Sequence, residues 1–513
     1  MSVTPNLKRR PAIEGDENRH LRTDHLKVDL GRRTARGGAL TIASQVLKFF
    51  TFIVAAVVLA RLLTPNDYGL IGMVAVVTGF VSIFKDMGLS IATIQRDEIS
   101  NDQISTLFWV NFGLSFGVML LTAAIAPVVA WFYGEPRLTL ITIALAGGFL
   151  FGGLTVQHEA LLKRQMRFSA LVATEITSVI VGLIVGITLA WRGAGYWALV
   201  ANQLVQGSVY ATGVWFVCGW RPGLPVRNSG VRSMFAFGGN LTGFHVINYF
   251  SRNLDNMLIG RFWGSAQLGL YAKAYQLLLL PIDQINAPIA AVAVPALSRL
   301  THSPERYRKA YLRMLEKIAM VTMPGMAFMI GTSDWLVALI LGPQWIQAGR
   351  IFAILGFAGM VQFANTTGWL FMTQNRTHHM FQWGLVGGTI TILAILVGLP
   401  WGSVGVATSY SLTTVCVVVP LLLYFVGRVG PVRTRDFYRT IAPSACAALS
   451  TFVALYLFRK WGGVTEPMIG LAIAMGITAA TSLFVLQAIP AGRKALWDFH
   501  NLYELLRKKS EVF

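Results

Sequence analysis

The chain has 513 residues, of which 54% are hydrophobic and only 13% charged, with a mean hydropathy of +0.58 and a formal net charge of +20. A soluble globular domain carries about 25% charged residues, so a water-soluble enzyme or binding module is excluded as a description of the whole chain. The basic excess could suggest nucleic acid, but it sits in short segments between apolar runs, which is the positive-inside pattern of a membrane protein.

The first 36 residues are polar and basic and contain no short apolar core with a small-residue cleavage site. They read as a cytoplasmic arm, either an anchor to anionic head groups or a topology signal. Apolar runs follow near 37–63, 68–95, 103–132, 138–161, 168–190, 194–219, 233–262, 267–298, 312–341, 346–373, 379–400, 402–427, 437–458 and 466–489. A hydrocarbon core of roughly 30 Å needs about 20 apolar residues as helix, and each run supplies that. The runs are continuous rather than alternating, so a barrel is excluded and backbone pairing must be helical. The expected fold is therefore an all-α polytopic membrane protein with about 14 transmembrane helices. Residues 491–513 mix Leu496, Trp497, Phe499 and Leu502 with basic side chains, as an interfacial amphipathic tail does.

Basic residues alternate in abundance from turn to turn. One set of segments holds Arg32, Arg33, Arg36, Lys163, Arg164, Arg167, Arg221, Arg227, Arg232, Arg299, Arg306, Arg308, Lys309, Arg428, Arg433, Arg435, Arg439, Arg507, Lys508 and Lys509. The other holds Arg61, Arg137, Arg192, Arg261, Arg350, Arg459 and Lys460. Placing the richer set in the cytoplasm puts both termini there.

An offset of 200 positions lays Arg61, Gly69 and Leu70 on Arg261, Gly269 and Leu270, and Asp86 on Asn286, without a gap. It joins span one to span seven, which predicts two pseudo-symmetric six-helix lobes related by an axis along the membrane normal. The expected organisation is a basic arm over 1–36, an N-lobe over 37–220, a cytoplasmic linker over 221–232, a C-lobe over 233–428, two extra C-terminal helices over 429–490 and the tail.

Polar side chains concentrate in spans one, two, seven and eight. Span one carries Gln45 and Lys48, and span two carries Lys85 and Asp86. Span seven carries Asn240, Thr242, His245, Asn248, Arg252, Asp255 and Asn256, mostly at helical spacing, and span eight carries Lys273, Gln276 and Asp283. A charge at mid-bilayer costs about 2.5–3.5 kcal/mol on insertion scales, so such groups face an interior or a cavity. Lys48, Lys85, Arg252 and Lys273 are candidate anion ligands, since Arg and Lys both bind phosphate. For Arg252 an ion pair with Asp255 is the structural alternative, and for Lys273 it is snorkelling to the outer interface. Gln45, Asn240, Asn248, Asn256 and Gln276 supply neutral polar groups to the same faces. Asp86, Asp255, Asp283 and Glu175 are candidates for ion or proton coupling, with structural hydrogen bonding as the alternative. His158 and Glu159, close to Lys163 and Arg164, read as a solvated charge cluster. Cys218, Cys416 and Cys446 have no metal spacing and read as small buried apolar residues. Gly148 with Gly152, and Gly182 with Gly186, have the spacing of close helix contacts. No catalytic or metal-binding pattern is present in the sequence, and no cofactor is expected beyond a coupling H⁺ or Na⁺.

Four local strings then point to a family. LTPNDYGL at Leu63, GAGYWALV at Gly193, PALSRL at Pro295 and LGPQW at Leu341 resemble landmarks of bacterial polysaccharide exporters. The likeness runs over roughly residues 36–490 and is to lipid-linked oligosaccharide flippases, a branch of the superfamily that includes multidrug/toxin extruders and the lipid II flippase. It implies a central cavity, alternating access and a cargo of undecaprenyl-pyrophosphate carrying a sugar repeat unit, moved across the inner membrane for exopolysaccharide or lipopolysaccharide synthesis. By helix and depth it carries a pyrophosphate-binding role to Lys48, Lys85, Arg252 and Lys273. It also implies work beside a polysaccharide polymerase and chain-length machinery. Rival expectations are a cation-coupled multidrug extruder, whose cavity would be richer in carboxylates, and a membrane polymerase or ligase, which would need a large outer loop.

Overall fold

The structure, a computed structural model, describes residues 49–51, 53–83, 93, 99–226 and 232–497. The described residues are almost wholly helical: α1 (residues 53–62), α2 (Pro65–Ser82), α3 (Asn101–Tyr133), α4 (Arg137–Ala146), α5 (Gly148–Arg164), α6 (Phe168–Trp191), α7 (Tyr196–Cys218), α8 (Arg232–Ser298), α9 (Pro304–Gly331), α10 (Ser333–Ile340), α11 (Ile346–Met360), α12 (Thr367–Thr373), α13 (Thr377–Gly398), α14 (Gly402–Thr413), α15 (Val419–Val429), α16 (Thr434–Trp461) and α17 (Pro467–Ala488). Seven helical segments among them are long and apolar enough to cross a bilayer, and eight if Pro343–Met360 and Gln362–Thr373, bent by 45°, form one span. The sequence predicts about 14, and much of expected spans one and two lies outside the described residues to which this count applies. Thr377–Arg428, counted once, contains two expected spans. Asp67 makes α2, and Gln203 and Gln206 make α7, more polar than the other long helices. Span nine also shifts, from the expected 312–341 to Pro304–Gly331 with α10 separate.

Turn chemistry sets the boundaries. Ser100 caps α3 in a reciprocal box with Gln103, satisfying amide groups that lipid could not. At the start of α2, Thr64 N–H and Oγ–H both donate to Asp67 Oδ2 (2.9 and 2.7 Å), and Pro65 takes the first helical position. α8 is interrupted at Gly264, with φ 79° and ψ 178°, a conformation strained for any other residue. The break divides α8 into the two arms expected as spans seven and eight. The second arm runs through Pro281, Pro288 and Pro295.

The chain forms two compact units. One holds the described residues up to Ala55 together with Val74–Tyr249, and the other holds Ala56–Met73 together with the residues from Phe250 onward. In the first, Ile104, Leu107, Phe108, Leu161, Leu162, Val214 and Trp220 form a core between α3, α5 and α7. Gly182 and Gly186 bring α6 against Asn202 of α7, as their spacing predicts, whereas open space lies beside Gly148. In the second, α9 packs on α16 around Tyr307, Tyr311, Leu315, Ile318 and Phe437. The hydroxyls of Tyr307 and Tyr311 are paired with Thr373 (2.6 Å) and Thr366 (2.8 Å). Cys218 is buried, but Cys416 and Cys446 are exposed, contrary to expectation. Lipid is itself apolar, so a thiol on a span gains little from burial.

Helix ends meet within each unit as the basic-residue count groups them. On the basic-rich side Arg164 donates to Thr93 O (3.1 Å), Trp220 Nε1 to Asn101 Oδ1 (2.8 Å), and Arg308 pairs with Asp436. On the other, Trp263 Nε1 donates to Leu399 O (2.7 Å), Arg61 to Leu339 O (2.7 Å), and Arg459 pairs with Asp334. Burial acts to raise the Asp334 carboxyl, but the Arg459 guanidinium outweighs it and holds that group below its ordinary value.

The 200-residue repeat reappears as geometry. A Cβ placed on Gly69 would lie 1.7 Å from Ser265 O, and one on Gly269 would lie 1.8 Å from Pro65 O. Since Pro65 and Gly69 correspond to Ser265 and Gly269 in the repeat, these are one contact made twice. α2 thus crosses the second arm of α8 backbone to backbone, as small residues allow in membranes. Gly69→Ala and Gly269→Ala are each expected to force the helices apart at a cost of about 1–3 kcal/mol or more. Thermal unfolding of purified protein should reveal a clear loss of stability, and an unchanged midpoint for both variants would contradict the crossing.

Candidate functional site

The polar arm of α8 is where the site must be built. Asp255 and Tyr271 lie on opposite sides of the Gly264 break, and the Tyr271 hydroxyl donates to Asp255 Oδ2 at 2.8 Å. The two arms therefore lie side by side in this region. Asp255 Oδ1 accepts from the Asn256 backbone N–H, also at 2.8 Å. One turn further along, Tyr275 stacks on Tyr271 with ring centroids 6.2 Å apart. Tyr410 of α14 lies within electrostatic reach of Tyr275 and Asp255. Thr414 opens a π-helical turn, Thr414–Val418, between α14 and α15. Such turns interrupt the regular ladder and are frequent at functional sites. Tyr271, Tyr275 and Tyr410 thus gather near the Asp255 carboxylate.

Arg252 lies one turn before Asp255. It is exposed and forms no ion pair among the described residues. The i,i+3 pair with Asp255 is not formed, because Tyr271 and Asn256 occupy that carboxylate instead. Asn256 is partly buried, and its Oδ1 has no partner among the described residues. Lys273 neither stands free nor snorkels away. Its ammonium lies 4.0 Å from the centroid of the Tyr68 ring and donates to Gln276 Oε1 at 3.1 Å. Tyr68 meets Trp345 edge to face at 5.4 Å, and Trp345 Nε1 donates to Ala60 O at 2.8 Å. Two of the family-like strings, LTPNDYGL and LGPQW, thus form one cluster around Lys273. Such a cation–π contact is worth about 0.5–2 kcal/mol, the more as it is desolvated.

The other expected residues divide by location. Gln45, Lys48, Lys85 and Asp86 lie outside the described residues, as do the side chains of Asn240, His245, Asn248 and Asp283. Glu175 lies on α6, partly buried, within electrostatic reach of Tyr210 and in the other compact unit from Asp255.

Sequence reasoning missed two groups. Tyr271, Tyr275 and Tyr410 were legible only as aromatic residues, although the first two have i,i+4 spacing beside the polar stripe. The second group is a buried polar row in the first unit, Asn111, Ser115, Gln157 and His158, each 0% exposed. A polar spacing of four in the apolar run of α3 was its signal. His158 corrects the expected solvated cluster. Its ring stacks on Trp215 at 4.4 Å, with Phe108 and Trp220 edge-on, and Nε2 lies 3.3 Å from Trp220 O. Only Glu159 keeps to the expectation, pairing with Lys163 at 2.6 Å. The aromatic rings that enclose His158 come from three separate elements, which no local pattern reveals.

The chain resembles teichuronic acid biosynthesis protein TuaB of Bacillus subtilis (strain 168), with 28% identity over 309 residues, 60% of this chain and 64% of that protein. That match spans less than two thirds of the relative's length. Lipopolysaccharide biosynthesis protein WzxC of Escherichia coli (strain K12) is 24% identical over 88% of this chain and 89% of its own. Succinoglycan biosynthesis transport protein ExoT of Rhizobium meliloti (strain 1021) is 21% identical over 72% of this chain and 76% of its own. Among solved structures, the lipid II flippase MurJ in an inward closed conformation superposes with a TM-score of 0.68 at 14% identity, covering 88% of this chain and 98% of that one. An inward-facing multidrug resistance MATE transporter gives 0.56 at 13% identity, covering 76% and 95%. At these identities the likeness to both shows a shared fold. The model of the polysaccharide biosynthesis protein family matches residues 58–350, more than half of the sequence, and this multi-pass membrane protein belongs to that family.

Proposed function

We propose that the protein is a flippase that moves undecaprenyl-pyrophosphate-linked oligosaccharide repeat units across the bacterial inner membrane by alternating access, for exopolysaccharide or lipopolysaccharide synthesis. The observation that carries this is Arg252: an exposed guanidinium without an acidic partner among the described residues, on a membrane helix one turn from a carboxylate that bonds Tyr271 and Asn256 instead. A charge kept at membrane depth without a partner needs a functional reason. A planar guanidinium matches a diphosphate through paired hydrogen bonds. Family membership and the names of TuaB, WzxC and ExoT supply the cargo class.

In this mechanism both termini are cytoplasmic, and the lobes over 37–220 and 233–428 rock about the bound headgroup while the lipid tail stays in the bilayer. Lys48 and Lys85 join Arg252 in holding the diphosphate. Lys273, engaged by Tyr68 and Gln276, orders the outer end of α8 and reaches the cargo only if that contact opens. The protein works as a transporter rather than an enzyme, alongside the polymerase and chain-length machinery that consume its product. Asp255, with Glu175, Asp86 and Asp283, is the candidate for coupling to an H⁺ or Na⁺ gradient.

A hydrogen bond to a charged group is worth about 1.5–3 kcal/mol, or roughly a tenfold to hundredfold change in affinity. Arg252→Ala should therefore reduce polysaccharide export strongly, and Lys48→Ala with Arg252→Ala should abolish it. Both variants should keep normal levels of protein in the membrane. Wild-type export by the double variant would refute the role. Asp255→Asn should leave cargo binding in place but remove the dependence of transport on an ion gradient. Transport by Asp255→Asn that still stops when the gradient is collapsed would place coupling elsewhere.

A further inference from the structure

On the basic-poor side of the second unit, a cavity of about 600 Å³ opens between α9, α11 and α16. Its walls are Ile330, Ala353, Phe357, Phe452 and Tyr456. The rings of Phe357 and Phe452 meet edge to face with centroids 6.1 Å apart at the deep end. Arg459 and Lys460 stand at the opposite end. Residues 452 and 460 lie on one helix, so at 1.5 Å per residue the trough runs about 12 Å along α16, a large part of one leaflet.

The charges at the mouth are unequal. Arg459 donates to Gly331 O at 3.0 Å, pairs with Asp334 and lies over the Trp335 ring at 4.4 Å. Lys460 has no ion pair among the described residues, and its ammonium lies 5.9 Å from the Trp461 ring centroid. With Asp334 offsetting Arg459, one positive charge remains. Trp335 and Trp461 mark this end as the head-group level, where aromatic residues collect. An apolar trough that reaches the hydrocarbon from a cationic mouth has the form of a lipid: a chain below and a phosphate above.

We propose that this trough holds one acyl chain of an anionic phospholipid from the leaflet on that side, with its phosphate at Lys460. The site is independent of the proposed cargo. The apolar walls gain nothing from water, and the chain completes the packing between α9, α11 and α16. The excess positive charge selects lipids with net negative heads over zwitterionic ones that carry the same chains.

Native mass spectrometry of the full-length protein in detergent, titrated with phosphatidylglycerol or with phosphatidylcholine of the same chains, reads this directly. A basic residue near a membrane surface contributes about 1 kcal/mol, so phosphatidylglycerol should be retained about fivefold better by the wild type. Lys460→Glu should remove that preference. Ala353→Trp, which fills the trough, should lower retention of both lipids. Lys494→Glu, on the opposite side of the protein, should change nothing. Equal retention of the two lipids by the wild type, or unchanged retention in both Lys460→Glu and Ala353→Trp, would overturn the proposal. Displacement of bound phosphatidylglycerol by an equimolar amount of a polyprenyl phosphate would also overturn it, giving the trough to the cargo lipid instead.

Discussion

A charge or an unpaired amide inside hydrocarbon costs several kcal/mol, and every polar residue on these helices answers to that constraint. Three answers are visible. Asp255 is paired, through Tyr271 and the Asn256 amide. Lys273 is covered, by the Tyr68 ring and Gln276. Among the described residues Arg252 is neither, and it is exposed. The first two have partners within the fold. The third has no such return among the described residues, and a polar ligand or water that meets it would make the charge tolerable. The functional assignment follows from this imbalance on one helix face.

The same constraint explains why the cluster at the start of α2 is built as it is. Thr64 and Asp67 satisfy each other and the first amides of the helix, Pro65 removes one donor, and Gly69 lets the helix lie against Ser265. Gly269 makes the equivalent approach to Pro65. Tyr68 covers Lys273, and Trp345 ties the arrangement to Ala60. A short string that reads as a family landmark is thus a capped helix start, a close crossing and a cation cover within eight residues.

Much of the architecture was legible because lipid simplifies the code. Long apolar runs must be helices, and the alignment of Gly69 with Gly269 picked out two residues that meet in a reciprocal crossing. The site was legible in part. Helical spacing placed Arg252 and Asp255 on one face, but it could not say that Tyr271, sixteen positions away and past a break, would take the carboxylate. Nor could it foresee that Tyr68 would cover Lys273, since that contact joins residues about 200 positions apart. His158 and Cys416 were misjudged for opposite reasons. Rings from three elements enclose the histidine, whereas the thiol is exposed in the π-helical turn.

The central claim is that the polar face of this protein carries an anionic, lipid-linked sugar across a bilayer. Purified protein reconstituted into liposomes with a polyprenyl-diphosphate-linked oligosaccharide tests it most directly, by the rate at which the sugar becomes accessible to a hydrolase added outside. Protein-dependent exposure of the sugar, lost when Arg252 is replaced by alanine, is the expected result. Exposure no faster than in protein-free liposomes, with an ion gradient imposed in either direction, would contradict the account.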